Sequence, residues 1–594
     1  MTSRAVWLQS NTEHGLAVAF GEFFQQYGLV KRILQVPIAQ KTGDSPPQAK
    51  LIEFLTGIMS GIEYLSDLND GPHPVAKDDV LAAAWGQSHF AHYSSVSRTL
   101  SACDAQTVQA TQQAMEAFSR PFIREAVQGL LTAGRVLLYD LDLMGQPVSA
   151  TSTAYPQVAF GWMDDQVRLG YQLARICLTT RSGDRIWLQG FHHPGDTVSA
   201  PCLQELVQAA EVQTGVRPHR RPDLVQQRIV AQQTALARPQ RLLHQHQERQ
   251  ERLQQTRLGL LLQIAQAQQA LKKPISEAKI ARLQRQVQTW QRRLPRLDQQ
   301  LATCARVIAR HQTTIAHLTE ELTALQVWRA ELEAQNRLNP DSPRCRVRMD
   351  GGFGSGPNLT WLIEMGYEID TKALNDKTTE ALRARVTDET TWQRVGDNAE
   401  MTAWANYTLH GCPYPLHVGL ERFKIGATTK YATLVRVRAE GTLPDLATWF
   451  GEYNGRQIIE AGNKELKSGV FHVQHLMSHS LAGIQIQVLF AGLAANSVRW
   501  SMPWLRTCAA EDSPKIRHTL SSPKHMVRVA ANSSAWVQQT PSGTALQFAP
   551  TSALPGTVLF LKGVPALQLP LGLQEPCKIT SETTNQALVA QSLR

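Results

Sequence analysis

The chain has 594 residues, of which 43% are hydrophobic and 19% are charged, and this length exceeds what one hydrophobic core supports. The eight cysteines include no Cys-x-x-Cys pair and no histidine partner at zinc-finger spacing, which argues against a structural zinc and a disulfide framework. The net charge of +10 favours an anionic partner, and the lack of a signal pattern at the amino terminus leads us to expect a cytoplasmic protein.

Residues 1–125 show apolar positions at helical spacing and predict an N-terminal helical domain. Within it, residues 78–100 have the outline of a helix-turn-helix, with a glycine-containing turn and a second helix that begins at Ser94 or Ser95. This second helix would present Arg98 to a DNA groove. A purely structural helix pair is the alternative, because such pairs are common.

Residues 134–150 predict a buried strand that ends in Asp140 and Asp142 before a Gly-Gln-Pro turn. Two further β-rich stretches follow and predict a three-stranded meander. His192 and His193 stand where the turn after the third strand is predicted, and we interpret them as surface histidines.

Residues 217–343 predict a coiled-coil insertion. Apolar residues between 283 and 325 alternate at four- and three-residue spacing, broken at His311, and an upstream segment fits a partner helix that folds back. The expected antiparallel hairpin is about 80 Å long at about 1.5 Å per residue, with Ser276 as a helix cap and a kink at Pro295. Residues 217–345 contain 22 Lys or Arg and 10 Asp or Glu, so the basic balance is concentrated here. Either a polyanion-docking surface or an ordinary solvated coiled coil explains it.

After the hairpin, residues 346–349 predict a strand that delivers Asp350 into a glycine-rich turn before a helix. Residues 371–445 predict a β-rich insertion, and a helix that begins at about residue 446 follows it. The longest apolar stretch, from Gly483, is too short to span a bilayer, so no membrane partner is expected. From about residue 511 the pattern predicts short strands with Pro and Gly turns.

One stretch places four chemically distinctive residues at helical intervals, namely Tyr453, Arg456, Glu460 and Lys467. A glutamate flanked by cations suits a site where Glu460 holds a divalent metal ion and the cations bind a phosphate backbone. An exposed helix with charge pairs four residues apart is the competing interpretation. With the aspartates that follow the two predicted strands, Glu460 would complete the three carboxylates that two divalent ions require.

These residues resemble the DDE transposases of bacterial insertion sequences, in the insertion-sequence-four-like branch that carries the signature Tyr-x2-Arg-x3-Glu-x6-Lys. All three intervals of the signature are matched, "MDGGFGSG" at 349–356 resembles the second-aspartate motif, and "DLMGQPVSATSTAY" looks like the first. The family implies a ribonuclease-H-like core, two Mg²⁺ or Mn²⁺ ions per active site, and a homodimer acting on paired element ends. It also implies cut-and-paste movement, often through hairpin-ended DNA.

Under this resemblance the metal ligands and catalytic residues are Asp142, Asp350 and Glu460. Arg456 and Lys467 would bind phosphates near the scissile bond, with Tyr453 beside them. Asp140 is the alternative first aspartate, because residues two apart face the same side of a strand. Asp142 is preferred since the family places its acid three residues before the glycine of the turn, here Gly145. The family often has Thr or Ser two residues after that acid, whereas this chain has Met144.

The predicted class is α/β, a ribonuclease-H-like core interrupted by a coiled-coil insertion and a β-rich insertion. The expected partners are double-stranded DNA, as terminal inverted repeats and target, and a second copy of the chain in a synaptic complex. The expected location is the cytoplasm of a bacterium, in association with the nucleoid. The alternatives are a catalytically silent, transposase-derived DNA-binding protein and an assembly protein built on the coiled coil. The predicted segments are 1–125 (helical DNA-binding domain), 126–216 and 344–370 (core), 217–343 (coiled coil), 371–445 (β-rich insertion), 446–510 (C-terminal core helices) and 511–594 (β-rich region).

Overall fold

The computed structural model describes residues 9–41, 45–438, 443, 445–510, 513–540, 543–561 and 563. The chain divides into two compact units. The first contains residues 1–218, 342–363 and 367–594, and the second contains residues 219–341 and 364–366. The second unit is therefore an insertion into the first, with nearly the limits predicted for the coiled-coil segment.

The described residues form fourteen strands. They are β1 Gln9–Thr12, β2 Leu137–Pro147, β3 Ala159–Met163, β4 Gln166–Thr179, β5 Arg185–Pro194, β6 Cys345–Arg348, β7 Glu368–Lys372, β8 Gln393–Arg394, β9 Ala399–Tyr407, β10 Leu416–Ile425, β11 Thr428–Val437, β12 Ala535–Thr540, β13 Gly543–Phe548 and β14 Val558–Leu561.

The same part of the chain forms seventeen α-helices. They are α1 Gly15–Gln26, α2 Leu29–Ile33, α3 Pro47–Met59, α4 Asp67–Asp70, α5 Asp79–Ala84, α6 Tyr93–Ala102, α7 Ala105–Thr132, α8 Ser199–Thr214, α9 Pro222–Ala270, α10 Glu277–Arg337, α11 Gly356–Glu364, α12 Asp376–Arg383, α13 Leu446–Asn454, α14 Gln457–Lys464, α15 Leu481–Cys508, α16 Pro514–Thr519 and α17 Pro523–His525. Two 3₁₀ turns, Val75–Lys77 and Gly351–Phe353, and two π-helical turns, Glu465–Gly469 and Met526–Ala530, complete the helical elements.

The second unit contains the predicted antiparallel helical hairpin. Its helices α9 and α10 have 49 and 61 residues, about 74 and 92 Å at about 1.5 Å per residue. Gln232 donates to Glu321 over 2.6 Å, and Arg257 donates to Asp298 over 2.6 Å. Residue numbers therefore increase along α9 as they decrease along α10, so the two helices are antiparallel. The apolar seam is buried at Ile264, Ala267 and Val287, among other positions. The long antiparallel helix pair predicted for this segment is therefore present, with apolar side chains between its helices.

Local details of the hairpin differ from the prediction. Ser276 occupies the N-cap position of α10, but its side chain makes no capping hydrogen bond. Helix α10 continues through Pro295 as one element, so the proline lies inside the helix as predicted. His311, the predicted break in the apolar repeat, stacks on His246 with ring centroids 5.7 Å apart, which gives this polar position a partner across the hairpin.

In the first unit, ten strands form one mixed sheet. Strands β2, β6 and β7 are parallel, β4 is antiparallel to β2, and β5 is antiparallel to β4. The spatial order is therefore β5-β4-β2-β6-β7. Strand β2, which comes first of these five along the chain, lies in the centre. The next two, β4 and β5, lie on one side of it, and the last two, β6 and β7, lie on the other. The predicted meander is present as β2, β4 and β5, while the short strand β3 was not predicted.

The predicted β-rich insertion extends this same sheet. Strand β11 pairs with β7, and β10, β9 and β8 follow outward in order. Helix α12 also lies within residues 371–445, among the predicted strands. The insertion is therefore an outward continuation of the sheet.

The principal hydrophobic core of the first unit joins segments that are far apart in the sequence. Apolar residues of α1, α3 and α6 pack with Leu173 and Trp187 of the sheet and with the central face of α15. Helix α7 runs to Thr132 and so crosses the predicted boundary at residue 125. Two helices, α5 and α6, lie in the segment predicted as a helix-turn-helix, but residues 85–92 separate them where that motif has a turn of about three or four residues, and α6 begins at Tyr93.

Helix α15 contains the apolar stretch that was judged too short to span a bilayer. By length and composition the 28-residue helix could cross a membrane, so the prediction that this stretch is too short was wrong. However, 78% of its most apolar window is buried inside the protein, as in the core helix of a soluble protein. Ser480 caps its amino terminus by accepting from the Gly483 amide.

The C-terminal region was predicted as strands and begins instead with helical turns. Ser513 and Ser522 cap α16 and α17, and Pro514 and Pro523 occupy first-turn positions where a missing amide proton costs nothing. Strands β12, β13 and β14 then pair with β1 in a separate four-stranded sheet. Residues 564–594 of the predicted β-rich region lie outside the described residues.

His192 and His193 were predicted at a surface turn, which is wrong. Both lie within β5 and are partly buried, because β5 runs as far as Pro194. Burial lowers the pKa of His192 to about 3, so this imidazole is neutral at physiological pH.

Candidate active site

The two aspartates of β2 have different surroundings. Asp140 is fully buried, and both of its carboxylate oxygens are occupied: Arg348 Nε and Nη2 bind them over 2.7 and 2.8 Å, and the Thr179 hydroxyl donates over 2.8 Å. With 0% of its side chain exposed, Asp140 is not accessible to a metal ion from solvent, whereas 16% of the Asp142 side chain is exposed. Asp140 is therefore a structural ion-pair partner, and Asp142 is the aspartate of β2 that faces the candidate site.

Buried charges run across four neighbouring strands in register. Asp140 of β2 lies opposite Arg348 of β6, Arg348 lies opposite Asp370 of β7, and Asp370 lies opposite Arg436 of β11. Arg436 Nε binds Asp370 over 2.7 Å. We call these four residues the charge row. Alternating signs let each buried charge meet an opposite neighbour, the condition under which buried ions are tolerated.

The charge row also holds the helix that leads into the site. Glu452 on α13 accepts from Arg436 over 2.6 Å through its carboxylate, and its backbone carbonyl accepts from Arg348 over 2.9 Å. Arg346 on β6 binds the other carboxylate oxygen over 3.1 Å. Helix α13 is thereby fixed over the sheet at the level of β6, next to the turn that carries Asp350.

The predicted single helix through the signature is broken. Helix α13 ends at Asn454, α14 begins at Gln457, and a π-helical turn covers Glu465–Gly469. Because α13 and α14 are separate, Tyr453 does not lie on a common stripe with Glu460 and Lys467. The stripe that faces β2 consists of Arg456, Glu460 and Asn463, at intervals of four and three residues.

Asp142 and Glu460 are joined by the Arg456 guanidinium. Nη1 of Arg456 lies 3.4 Å from Asp142 Oδ1, and Nη2 lies 2.5 Å from Glu460 Oε1. Asn463 donates to the other Asp142 oxygen over 2.7 Å. Gly462 permits this close packing, since a Cβ there would come 2.6 Å from the Trp187 ring on β5. Asn463 was missed in the sequence, although it follows Arg456 by seven residues and so lies on the same helix face.

Gly455 lies at the break between the two helices. A Cβ there would lie 2.3 Å from Arg348 Nη1, which Asp140 and the Glu452 carbonyl hold in place. We expect Gly455→Ala to lower the free energy of unfolding by about 1–3 kcal/mol through overpacking. Gly451→Ala is the matched control, because its Cβ would meet nothing within 4 Å and alanine favours a helix by about 1 kcal/mol. Calorimetric unfolding of both variants checks this, and equal midpoints would contradict it.

Asp350 follows β6 and enters the turn as predicted. Its Oδ1 accepts from the Gly352 amide over 2.9 Å, and its backbone carbonyl accepts from the Thr371 hydroxyl over 2.9 Å. Parallel pairing of β2 with β6 ends at Asp140 and Arg348, so Asp142 and Asp350 both lie just beyond the carboxyl end of that pairing. Asp142 itself lies within β2 and not at its end, because β2 continues to Pro147 in its pairing with β4.

The three carboxylates interact electrostatically. Burial raises the pKa of Asp142 to about 6; the Arg456 guanidinium opposes this shift, while the carboxylates of Asp350 and Glu460 add to it. Within the described residues, two groups of side chains have possible metal-ligand atoms that all lie within 4.8 Å of one another. Neither group contains Asp142, Asp350 or Glu460. The fold therefore places the three carboxylates within electrostatic range but does not close them into one compact ligand set.

The raised pKa of Asp142 predicts a pH dependence of stability in metal-free protein. An acid whose pKa rises from 3.8 to about 6 on folding stabilises the fold only while protonated, so stability is lost as pH rises through this window. The expected loss is about 3 kcal/mol at about 1.36 kcal/mol per unit. Unfolding of wild type and Asp142→Asn in a chelator between pH 4 and pH 7 measures it. The free energy of unfolding of Asp142→Asn should not fall in this way. The same pH dependence in wild type and variant would contradict the raised pKa of Asp142.

The remaining predicted DNA-binding residues have distinct positions. Tyr453 is buried against Met401 and Trp449, and its hydroxyl interacts with the Arg456 side chain. Lys467 Nζ binds Asp164 over 2.7 Å in the two-residue turn between β3 and β4. Arg98 is exposed on α6, where it donates to Ser95.

Comparison with known proteins gives no family assignment, since no family model matches the chain and no curated protein matches it significantly.

Proposed function

We propose that the protein is a DDE transposase, which cleaves and joins DNA strands at the ends of an insertion sequence. The observation that carries the proposal is the Arg456 guanidinium held between Asp142 and Glu460, with Asp350 near enough to affect the pKa of Asp142. These residues come from three distant segments of the chain. They are also the residues of the Tyr-x2-Arg-x3-Glu-x6-Lys signature and of the two aspartate motifs.

The strand order supports a ribonuclease-H-like core for this proposal. In that fold the first strand is central, the second and third strands continue from it as an antiparallel meander on one side, and two strands parallel to the first lie on the other side. The order β5-β4-β2-β6-β7 and its strand directions have this form. The first acid then lies on the central strand and the second follows the adjacent parallel strand, while the third lies on a helix packed against β2.

The three carboxylates offer oxygen ligands for two Mg²⁺ or Mn²⁺ ions, which would replace the Arg456 guanidinium between Asp142 and Glu460. Partly buried carboxylates that destabilise one another's charged forms need a cation, and oxygen ligands are those that Mg²⁺ prefers. Asp142, Asp350 and Glu460 would hold the ions. When bound, such ions activate a water or a 3′-hydroxyl for attack on phosphorus and stabilise the leaving oxygen.

The cations of the site would position the DNA. Arg456 already binds two carboxylates through its fork of donors, and the same fork matches a phosphate. Asn463 fixes one oxygen of Asp142, leaving the Arg456-facing oxygen as the adjustable one. Lys467 offers a point charge at the side of the site that faces the turn between β3 and β4.

The test is cleavage of labelled DNA from the two ends of the element that encodes the chain. We expect strand cleavage at the element boundary that requires Mg²⁺ or Mn²⁺ and is abolished by a chelator. A denaturing gel separates a nick, a hairpin and a double-strand break. End-specific binding without cleavage in either metal would refute the enzyme and favour the catalytically silent DNA-binding protein.

The same proposal covers partners and location. Terminal inverted repeats and target DNA would be the substrates, two copies of the chain would pair the element ends, and the protein would act at the nucleoid in the bacterial cytoplasm. Arg98 on α6 is the proposed groove-reading residue of the N-terminal helices.

A further inference from the structure

A second group of metal-ligating side chains lies where β5 connects to α8. His193 is the penultimate residue of β5, and Cys202 and Glu205 lie in the first two turns of α8. Their spacing of three residues puts Cys202 and Glu205 on one face of the helix. The imidazole nitrogen, the thiol sulfur and a carboxylate oxygen all lie within 4.8 Å of one another.

The three side chains interact directly with one another. His193 Nε2 and Glu205 Oε1 lie 2.6 Å apart. Hydrogen bonds to Cys202 and Glu205 raise the pKa of His193 to about 10. A metal ion among the three donor atoms would displace the protons of the imidazole and the thiol, as metal binding to such ligands does.

We propose that His193, Cys202 and Glu205 bind a Zn²⁺ ion, separate from the carboxylate site. Thiolate, imidazole and carboxylate are the ligands of tetrahedral zinc, and three protein ligands leave a fourth position for water. Bonds of about 2.0–2.3 Å at tetrahedral angles separate ligand atoms by roughly 3.3–3.6 Å. Binding of the ion would require His193 Nε2 and Glu205 Oε1, which lie 2.6 Å apart, to separate by side-chain rotation.

The connection that carries these residues is held rigidly. Gly161 on β3 packs directly on the backbone of Gly195, and a Cβ at Gly195 would come 2.1 Å from the Ala159 carbonyl oxygen. Cys202 is 1% exposed, and its thiol makes one contact of its own helix, to the Val198 carbonyl at 3.6 Å. The ligands are therefore brought together by the fold and not by a mobile loop.

The site has a structural consequence for Asp350. Ser199, at the start of α8, packs against Gly352, where a Cβ would lie 2.6 Å from the serine oxygen. The Ala200 carbonyl accepts from the Asn358 side chain over 2.9 Å. An ion that ties α8 to β5 would therefore fix the helix against which the Asp350 turn rests.

The test is titration of Co²⁺ into the full chain, stripped of metal by a chelator and then held in excess Mg²⁺. We expect one equivalent to bind with a thiolate-to-cobalt charge-transfer band, and Zn²⁺ to abolish that band by displacement. Cys202→Ser removes the band. Cys103→Ser retains it and is the matched control, because that thiol also contacts the carbonyl four residues earlier in a helix.

A second variant keeps the test decisive if Cys202→Ser does not fold. Glu205→Gln alters a side chain that is 38% exposed and is expected to fold. Its Co²⁺ dissociation constant should rise by more than the roughly 10- to 100-fold that loss of an outer-shell partner costs. Co²⁺ binding without a thiolate band, or a band that survives Cys202→Ser, would overturn the proposal. The carboxylate site and the group Glu63, His472 and His475 lack a thiol, so neither can produce the band.

Discussion

Glu460→Gln is expected to bind element-end DNA like wild type and to cleave it at least about 10³-fold more slowly. A metal ion at such a site contributes several kcal/mol to transition-state stabilisation, and about 1.36 kcal/mol corresponds to each factor of ten. Glu460 is 45% exposed, so glutamine costs little stability there. Single-turnover cleavage of labelled DNA in Mg²⁺, with binding measured separately in Ca²⁺, distinguishes chemistry from affinity.

The matched control is Glu380→Gln, the same substitution on the exposed face of α12. It should leave both binding and cleavage unchanged. Cleavage by Glu460→Gln at the wild-type rate would show that this carboxylate does not take part in the reaction. An equal loss of DNA binding and cleavage would assign Glu460 to DNA affinity instead.

Asp140→Asn is expected to lower the free energy of unfolding by about 3–5 kcal/mol, the usual cost of removing one member of a buried ion pair. The substitution leaves Arg348, which is almost fully buried, without the carboxylate that binds two of its nitrogens. Asp142→Asn should cost nothing at pH 7 without metal, because the ionised form of Asp142 is already disfavoured by burial. Calorimetry of the two variants therefore separates the two aspartates by stability.

Cleavage assays of the same pair should give the opposite ranking. Asp142→Asn should abolish cleavage in a stable protein, while Asp140→Asn should retain the site chemistry at temperatures where it stays folded. If Asp142→Asn were the destabilised variant and Asp140→Asn the inactive one, the first acid of the site would be Asp140.

The sequence predicted those features that local pattern determines. The coiled-coil hairpin follows from a repeat that extends over many turns, and the strand, glycine turn and helix around Asp350 follow from short-range composition. Asp140 and Asp142 could not be separated, because their difference comes from Arg348, which is 206 residues further along the chain than Asp142. The break between α13 and α14 was missed for a similar reason, since Gly455 is needed for the close approach of that same arginine.

The place of the β-rich insertion was also beyond sequence reasoning. Alternation predicted β11, but the local pattern does not show that it pairs with β7, where Arg436 lies opposite Asp370 and binds it. The start of the C-terminal region was predicted wrongly although a local signal was present. The Ser-Pro pairs at 513–514 and 522–523 indicate helix starts, but the alternating apolar residues nearby were read as strands.

The most direct test of the catalytic proposal is the position of Mn²⁺ in crystals of the DNA-bound protein, located by anomalous scattering. We expect two peaks, with the carboxylates of Asp142, Asp350 and Glu460 as ligands at about 2.0–2.6 Å and with Arg456 turned from the carboxylates to a DNA phosphate. Mn²⁺ peaks elsewhere, with Arg456 still between Asp142 and Glu460 in the presence of DNA, would contradict the proposed active site.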